Sequence, residues 1–119
     1  MDKYDLQQRT KAYALRIIKL VKALPNDTIG KAVKNQLIRS GTSIAANYRA
    51  ACRARSKAEF IAKIGTVIEE TDESALWLEL IIESGILKKD VVNPLLEETK
   101  ELLAIFISTS KTARDNQRK

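Results

Sequence analysis

Lys31, Arg39, Arg49 and Arg53 fall within about 80° of arc on a helical projection, and Arg9, Arg16 and Lys19 form a comparable row nearer the N-terminus. Rows of guanidinium and ammonium groups can neutralise successive phosphates, so these seven cations are the candidate nucleic-acid-binding residues. The same rows suit carboxylates, and the sequence supplies a cluster of them in Glu69, Glu70, Asp72 and Glu73. In projection Glu69, Glu70 and Glu73 lie opposite the apolar stripe of their helix, the position of a solvated or salt-bridged face.

Other chemistry lacks its parts. The chain has no histidine, the commonest general base and metal ligand. With one cysteine, Cys52, it can build neither a zinc site nor a Cys–His nucleophile within one chain. Carboxylate-bridged metal bundles use Glu-x-x-His pairs, which the acidic cluster does not have. The four glycines, at 30, 41, 65 and 85, form no phosphate loop or dinucleotide fingerprint. The expectation is a non-enzymatic protein with no catalytic residue, metal or cofactor, and with Cys52 as a small packing residue.

Four helical segments must position these groups. The first runs from about Tyr4 to Leu24, with Leu6, Tyr13, Ile17, Leu20 and Leu24 at helical spacing, and stops at Pro25. Asn26 or Asp27 can cap the second, which runs to about Arg53 on a stripe of Val33, Leu37, Gly41, Ile44, Tyr48 and Ala51. Gly41 costs a helix about 1 kcal/mol relative to alanine, which marks a place where another backbone comes close. Ser56-x-x-Glu59 reads as a capping box for a third helix ending at Ser84-Gly85. Its stripe is Phe60, Ile64, Val67, Ile68, Thr71, Ala75, Leu78 and Ile82. Asp90 can cap a fourth, with Val92, Leu95, Leu96, Thr99, Leu102, Leu103 and Phe106 inward. The pattern fades from about residue 112, which reads as a frayed tail. Short connections make neighbours antiparallel, so the expected fold is a single all-α, up-down four-helix bundle domain over residues 1–119.

Composition fits this reading. At 45% hydrophobic and 30% charged residues the chain is an ordinary globular one. Its longest apolar run, Leu102 to Ile107, is too short to cross a bilayer. The lone cysteine and the polar start of the chain suit a cytoplasmic location. Charge is uneven: residues 1–57 hold 13 Lys+Arg against 3 Asp+Glu, and residues 58–119 hold 8 against 12, within an overall +6. Leu76, Trp77 and Leu80 lie off the third helix's stripe. A helix apolar on more than one side suits an oligomer, so these three are the candidate subunit interface.

The motif Arg39-Ser40-x-Thr42-Ser43-Ile44-x-x-Asn47-Tyr48, then Arg53-x-Arg55-Ser56-x-x-Glu59-Phe60, resembles the four-helix bundle family of proteins encoded in ribosomal-RNA intervening sequences. The accessory variability proteins of diversity-generating retroelements are related to it. The likeness extends to Ile68-Glu69-Glu70-x-x-Glu73-Ser74 and covers nearly the whole chain. Where many members have Glu-Gly, this sequence has Ala50-Ala51. The resemblance implies a homopentameric ring of bundles and no catalytic residues. From the retroelement proteins it implies association with RNA or DNA and with a reverse transcriptase. Two functions stay open on the sequence: a sequence-independent nucleic-acid-binding accessory factor, or a structural scaffold for a protein partner without a nucleic-acid role.

Overall fold

The computed structural model describes residues 1–118. They form four helices, α1 Lys3–Lys22, α2 Thr28–Cys52, α3 Lys57–Glu83 and α4 Lys89–Arg118, with no strand among the described residues. Successive helices pack side by side and antiparallel. The start of α1, the end of α2, the start of α3 and the end of α4 meet at one end of a rod of 51 × 20 × 20 Å. The α1–α4 seam is the sparsest of the four. No helix is long and apolar enough to cross a membrane.

The helices begin and end where their orphan backbone groups find partners. Asp2 accepts the Asp5 N–H at 2.8 Å and Asp5 accepts the Asp2 N–H at 3.3 Å, a reciprocal cap on α1. Asp27 caps α2 through the Gly30 N–H at 2.7 Å. Ser56 caps α3 through the Glu59 N–H at 3.0 Å. The return bond of that box is displaced: the Glu59 carboxylate takes the N–H of Arg55, at 3.4 Å, instead of that of Ser56. Gly85, at φ 75°, turns the chain out of α3 in the left-handed region while the Ile86 N–H reaches back to the Ile81 carbonyl at 3.2 Å. Helix α4 differs from expectation at both ends. It already begins at Lys89, so Asp90 lies in its first turn, where a negative charge suits the dipole, instead of capping it. It also runs on to Arg118, with Ser110 still buried and Ala113 half-buried.

Every residue of the α2 stripe is buried. On α3, Ile64, Val67, Thr71, Ala75 and Leu78 of the expected stripe are buried together with Ser74 and Ile81, while Phe60, Ile68 and Ile82 are half-buried against the core. At mid-height each helix contributes a hydroxyl. The Tyr13 hydroxyl on α1 lies 2.6 Å from that of Thr99 on α4, and the Ser74 hydroxyl on α3 lies 2.9 Å from that of Ser40 on α2. Thr99 donates to the Leu95 carbonyl at 2.7 Å, so Tyr13 is the donor to Thr99. Ser74 also faces the Tyr13 hydroxyl, whose pKa burial pushes up to about 12. The remaining buried threonines, Thr10 and Thr71, bond the carbonyl four residues back. No buried side-chain nitrogen or oxygen is left without a partner among the described residues.

Gly41 is buried where α1 crosses α2, and the close neighbour is a side chain instead of a backbone. A Cβ at position 41 would stand 2.7 Å from Ile17 Cγ1 and 2.8 Å from Cγ2. Those atoms sit on a branched carbon with one strongly preferred helical rotamer, so they cannot swing aside. Gly41→Ala gains about 1 kcal/mol of helix propensity but overpacks a full core at a cost of about 1–3 kcal/mol. The expected net effect in urea denaturation is a loss of about 1 kcal/mol. Ile17→Ala in the same chain should convert part of that loss to a gain relative to Ile17→Ala alone. Equal effects of Gly41→Ala in both backgrounds would rule out the contact.

Candidate nucleic-acid interface

The seven candidate cations separate into two groups once the helices are packed. Arg9 faces α4. Its Nε donates to Glu98 Oε2 at 2.8 Å and its second nitrogen to Glu98 Oε1 at 2.7 Å, a bidentate fork, with Glu101 Oε1 2.9 Å away. Side-chain exposure is 21% for Arg9 and 18% for Glu98, so the pair is partly shielded from water. The fork raises the Arg9 pKa and holds the Glu98 carboxyl below the usual range. Arg39 faces α3. One nitrogen donates to Glu70 at 3.2 Å and the other to Glu73, which also accepts the Trp77 indole N–H at 3.1 Å. The Trp77 bond, then Arg39, keeps the Glu73 pKa low. Glu70 and Glu73 therefore turn toward α2, and only Glu69 of the three stands fully exposed opposite the core.

Arg16, Lys19, Lys31, Arg49 and Arg53 are exposed and make no ion pair among the described residues. Arg16 and Lys19 border a groove between α1 and α4 floored by Leu20 and Leu95. Lys31, Arg49 and Arg53 stand along the outer side of α2, with Arg53 as its C-terminal cap. The sequence finds these positions from helical period alone, but the ion partners of Arg9 and Arg39 lie on other helices. Glu98 and Glu101 carry no local signal that links them to Arg9.

The candidate interface residues also separate. Leu76 and Leu80 are 50% and 42% exposed, neighbours one turn apart on the outer side of α3. Trp77 is half-buried against the core. Among the described residues no group of three or more histidine, cysteine or acidic side chains is placed to hold a metal ion.

Residues 2–108 match the family described as 23S rRNA-intervening sequence protein. The fold is similar to a crystal structure of a protein with unknown function from the S23 ribosomal protein family of Bacteroides thetaiotaomicron. That likeness has a TM-score of 0.86 at 32% identity, and covers 93% of this chain and 99% of that one. No curated protein matches.

The Arg9 fork makes a pH prediction. A carboxyl whose folded pKa is depressed contributes stability above its unfolded pKa, about 4.3 for Glu, and that contribution is lost as pH falls through the folded value. Glu98→Gln should therefore lose about 1 kcal/mol at neutral pH, between an exposed pair and a buried one. Wild type and variant should converge as acid protonates Glu98. Urea denaturation across pH checks it; a gap unchanged between neutral pH and about pH 3 would show that the charge is not the cause.

Proposed function

The chain belongs to the 23S rRNA-intervening sequence protein family, and on that premise we propose that it is a non-enzymatic, oligomeric accessory protein that grips nucleic acid by its phosphates. The supporting observation is the sorting of the cations. Arg9 and Arg39 are consumed by carboxylates of their own chain, whereas Arg16, Lys19, Lys31, Arg49 and Arg53 are left to solvent in a chain of net charge +6. Base reading has little support. Tyr13, Tyr48 and Phe106 are core residues, Phe60 and Trp77 are half-buried, and Tyr4 is the one exposed aromatic residue. The binding is sequence-independent and dominated by counterion release.

The proposal includes a homo-oligomer, with five subunits taken from the family resemblance. Leu76 and Leu80 expose apolar surface flanked by Glu69, Asp72 and Glu83, and the outer side of α2 is basic. Burying the apolar patch of α3 against the next copy leaves the basic side of α2 open to phosphates, and a head-to-tail contact of this kind gives a ring where its rotation closes.

Titration of wild type with single-stranded RNA and duplex DNA at several salt concentrations is expected to give binding at low salt that weakens steeply as salt rises. Arg49→Glu with Arg53→Glu should lower affinity at least ~tenfold and flatten the log–log salt slope by about 2. Absence of binding at low salt, or an unchanged slope in the variant, overturns the nucleic-acid reading. If that variant instead loosens the oligomer while wild type binds neither polymer, the chain is a scaffold. Assembly has its own check. Leu76→Asp with Leu80→Asp should give monomers by light scattering at micromolar concentration where wild type does not, since apolar anchors carry ~2 kcal/mol or more of an interface. A wild-type monomer under those conditions ends the ring.

A further inference from the structure

The end of the bundle where α1 and α3 begin and α2 and α4 finish holds a cavity of about 580 Å³. Volumes of this order are typical of sites for small organic ligands. Its floor is apolar, with Leu6, Ala51, Phe60 and Ala113. Its rim carries Lys3, Arg55 and Lys57 and no carboxylate. The carboxylates of Asp2, Asp5 and Glu59 at this end are held by backbone N–H groups in helix caps. Helix α3 starts here, and the positive end of its dipole adds to the three cations.

Tyr48 lines the cavity and is 3% exposed, and its hydroxyl has the weak Cys52 thiol as its side-chain partner and no nitrogen or oxygen partner among the described residues. Cys52 packs against the core, as the sequence suggests, and its half-buried thiol stands beside the Tyr48 hydroxyl on the cavity wall. An apolar floor, a donor at its edge and a cationic rim form one arrangement. It matches a molecule with an apolar body and an anionic head.

We propose that this terminal cavity binds a small amphipathic anion, its aliphatic or aromatic body on Leu6, Ala51 and Phe60 and its carboxylate or phosphate head among Lys3, Arg55 and Lys57. The Tyr48 hydroxyl donates to the ligand, and Cys52 reports its presence. The site shares no residue with the five free cations of the nucleic-acid reading and stands independently of it.

Calorimetric titration with decanoate, decyl phosphate and 1-decanol tests this, with the two anions separating carboxylate from phosphate preference. At least one anion is expected to bind one per chain, at least ~tenfold more tightly than the alcohol. Arg55→Gln with Lys57→Gln, both exposed positions, should cut anion affinity at least ~tenfold and leave the alcohol unaffected. Tyr48→Phe keeps the packing and should weaken binding by several-fold, roughly one lost hydrogen bond. Because Cys52 is the chain's single cysteine, its reaction with N-ethylmaleimide should slow in proportion to occupancy by the bound anion. The proposal is overturned if neither anion binds saturably up to about 1 mM, or if decanol binds as tightly. Unchanged affinity in the folded Gln variant, checked by circular dichroism, also overturns it.

Discussion

Registration of the four helices depends on a layer of hydroxyls at the middle of the core. Tyr13, Ser40, Ser74 and Thr99 come one from each helix, and their contacts join α1 to α4 and α2 to α3. Apolar packing alone tolerates a slide of one turn, because leucine and isoleucine repeat along every stripe. A buried hydroxyl does not tolerate it. Sliding α4 by a turn takes Thr99 away from the buried Tyr13 hydroxyl and leaves only Ser74 facing it, and an unmade buried hydrogen bond costs about 1–3 kcal/mol. That is a large share of the marginal stability of a small domain. The layer therefore selects one register from several of similar apolar burial, the same service that a buried asparagine performs in a coiled coil.

Around that layer the ion pairs act as outer ties. Arg9 to Glu98 crosses the sparse α1–α4 seam one turn from the Tyr13–Thr99 contact, and Arg39 crosses to α3 next to Ser40 and Ser74. Both ties sit at the height of the hydroxyl layer and pair the same helices that it pairs. Their energies differ. Arg39 is half exposed and its pairs lie at the surface-bridge level of about 0–1 kcal/mol. The Arg9 fork is bidentate and partly shielded, which raises its worth. Neither is large beside the burial of Ile17, Leu37, Ile44, Ile64 and Leu78, each removed from water at about 1.5–3 kcal/mol.

Local chemistry made the helices legible in the sequence. Pro25, Asp27, Ser56 and Gly85 mark the junctions, and the 3.6-residue stripes name nearly all of the core. What sequence could not supply was information held across helices. Glu70 projects away from the stripe of α3, yet Arg39 draws it toward α2, because long side chains reach further than a wheel allows. Ser74 and Ile81 lie outside the stripe read from the sequence, and the structure buries both. Gly41 signalled a close approach, but only packing shows that Ile17 is what approaches. The candidate cations follow the same division: their exposure was readable from period, and the consumption of Arg9 and Arg39 by carboxylates on other helices was not.

This arrangement separates the parts that hold the fold from the parts that face solvent. The register layer and its ties occupy the middle of the rod. The free cations of α2, the apolar patch of α3 and the terminal cavity lie on its outer sides and its end. Substitutions at exposed positions away from caps and cores usually change stability by no more than about 0.5 kcal/mol. Charge, patch and cavity lining can then vary without moving the core. A family built on this bundle can keep one shape while its surfaces change, so likeness of fold fixes the frame and leaves the partner to be read from each chain's own surface.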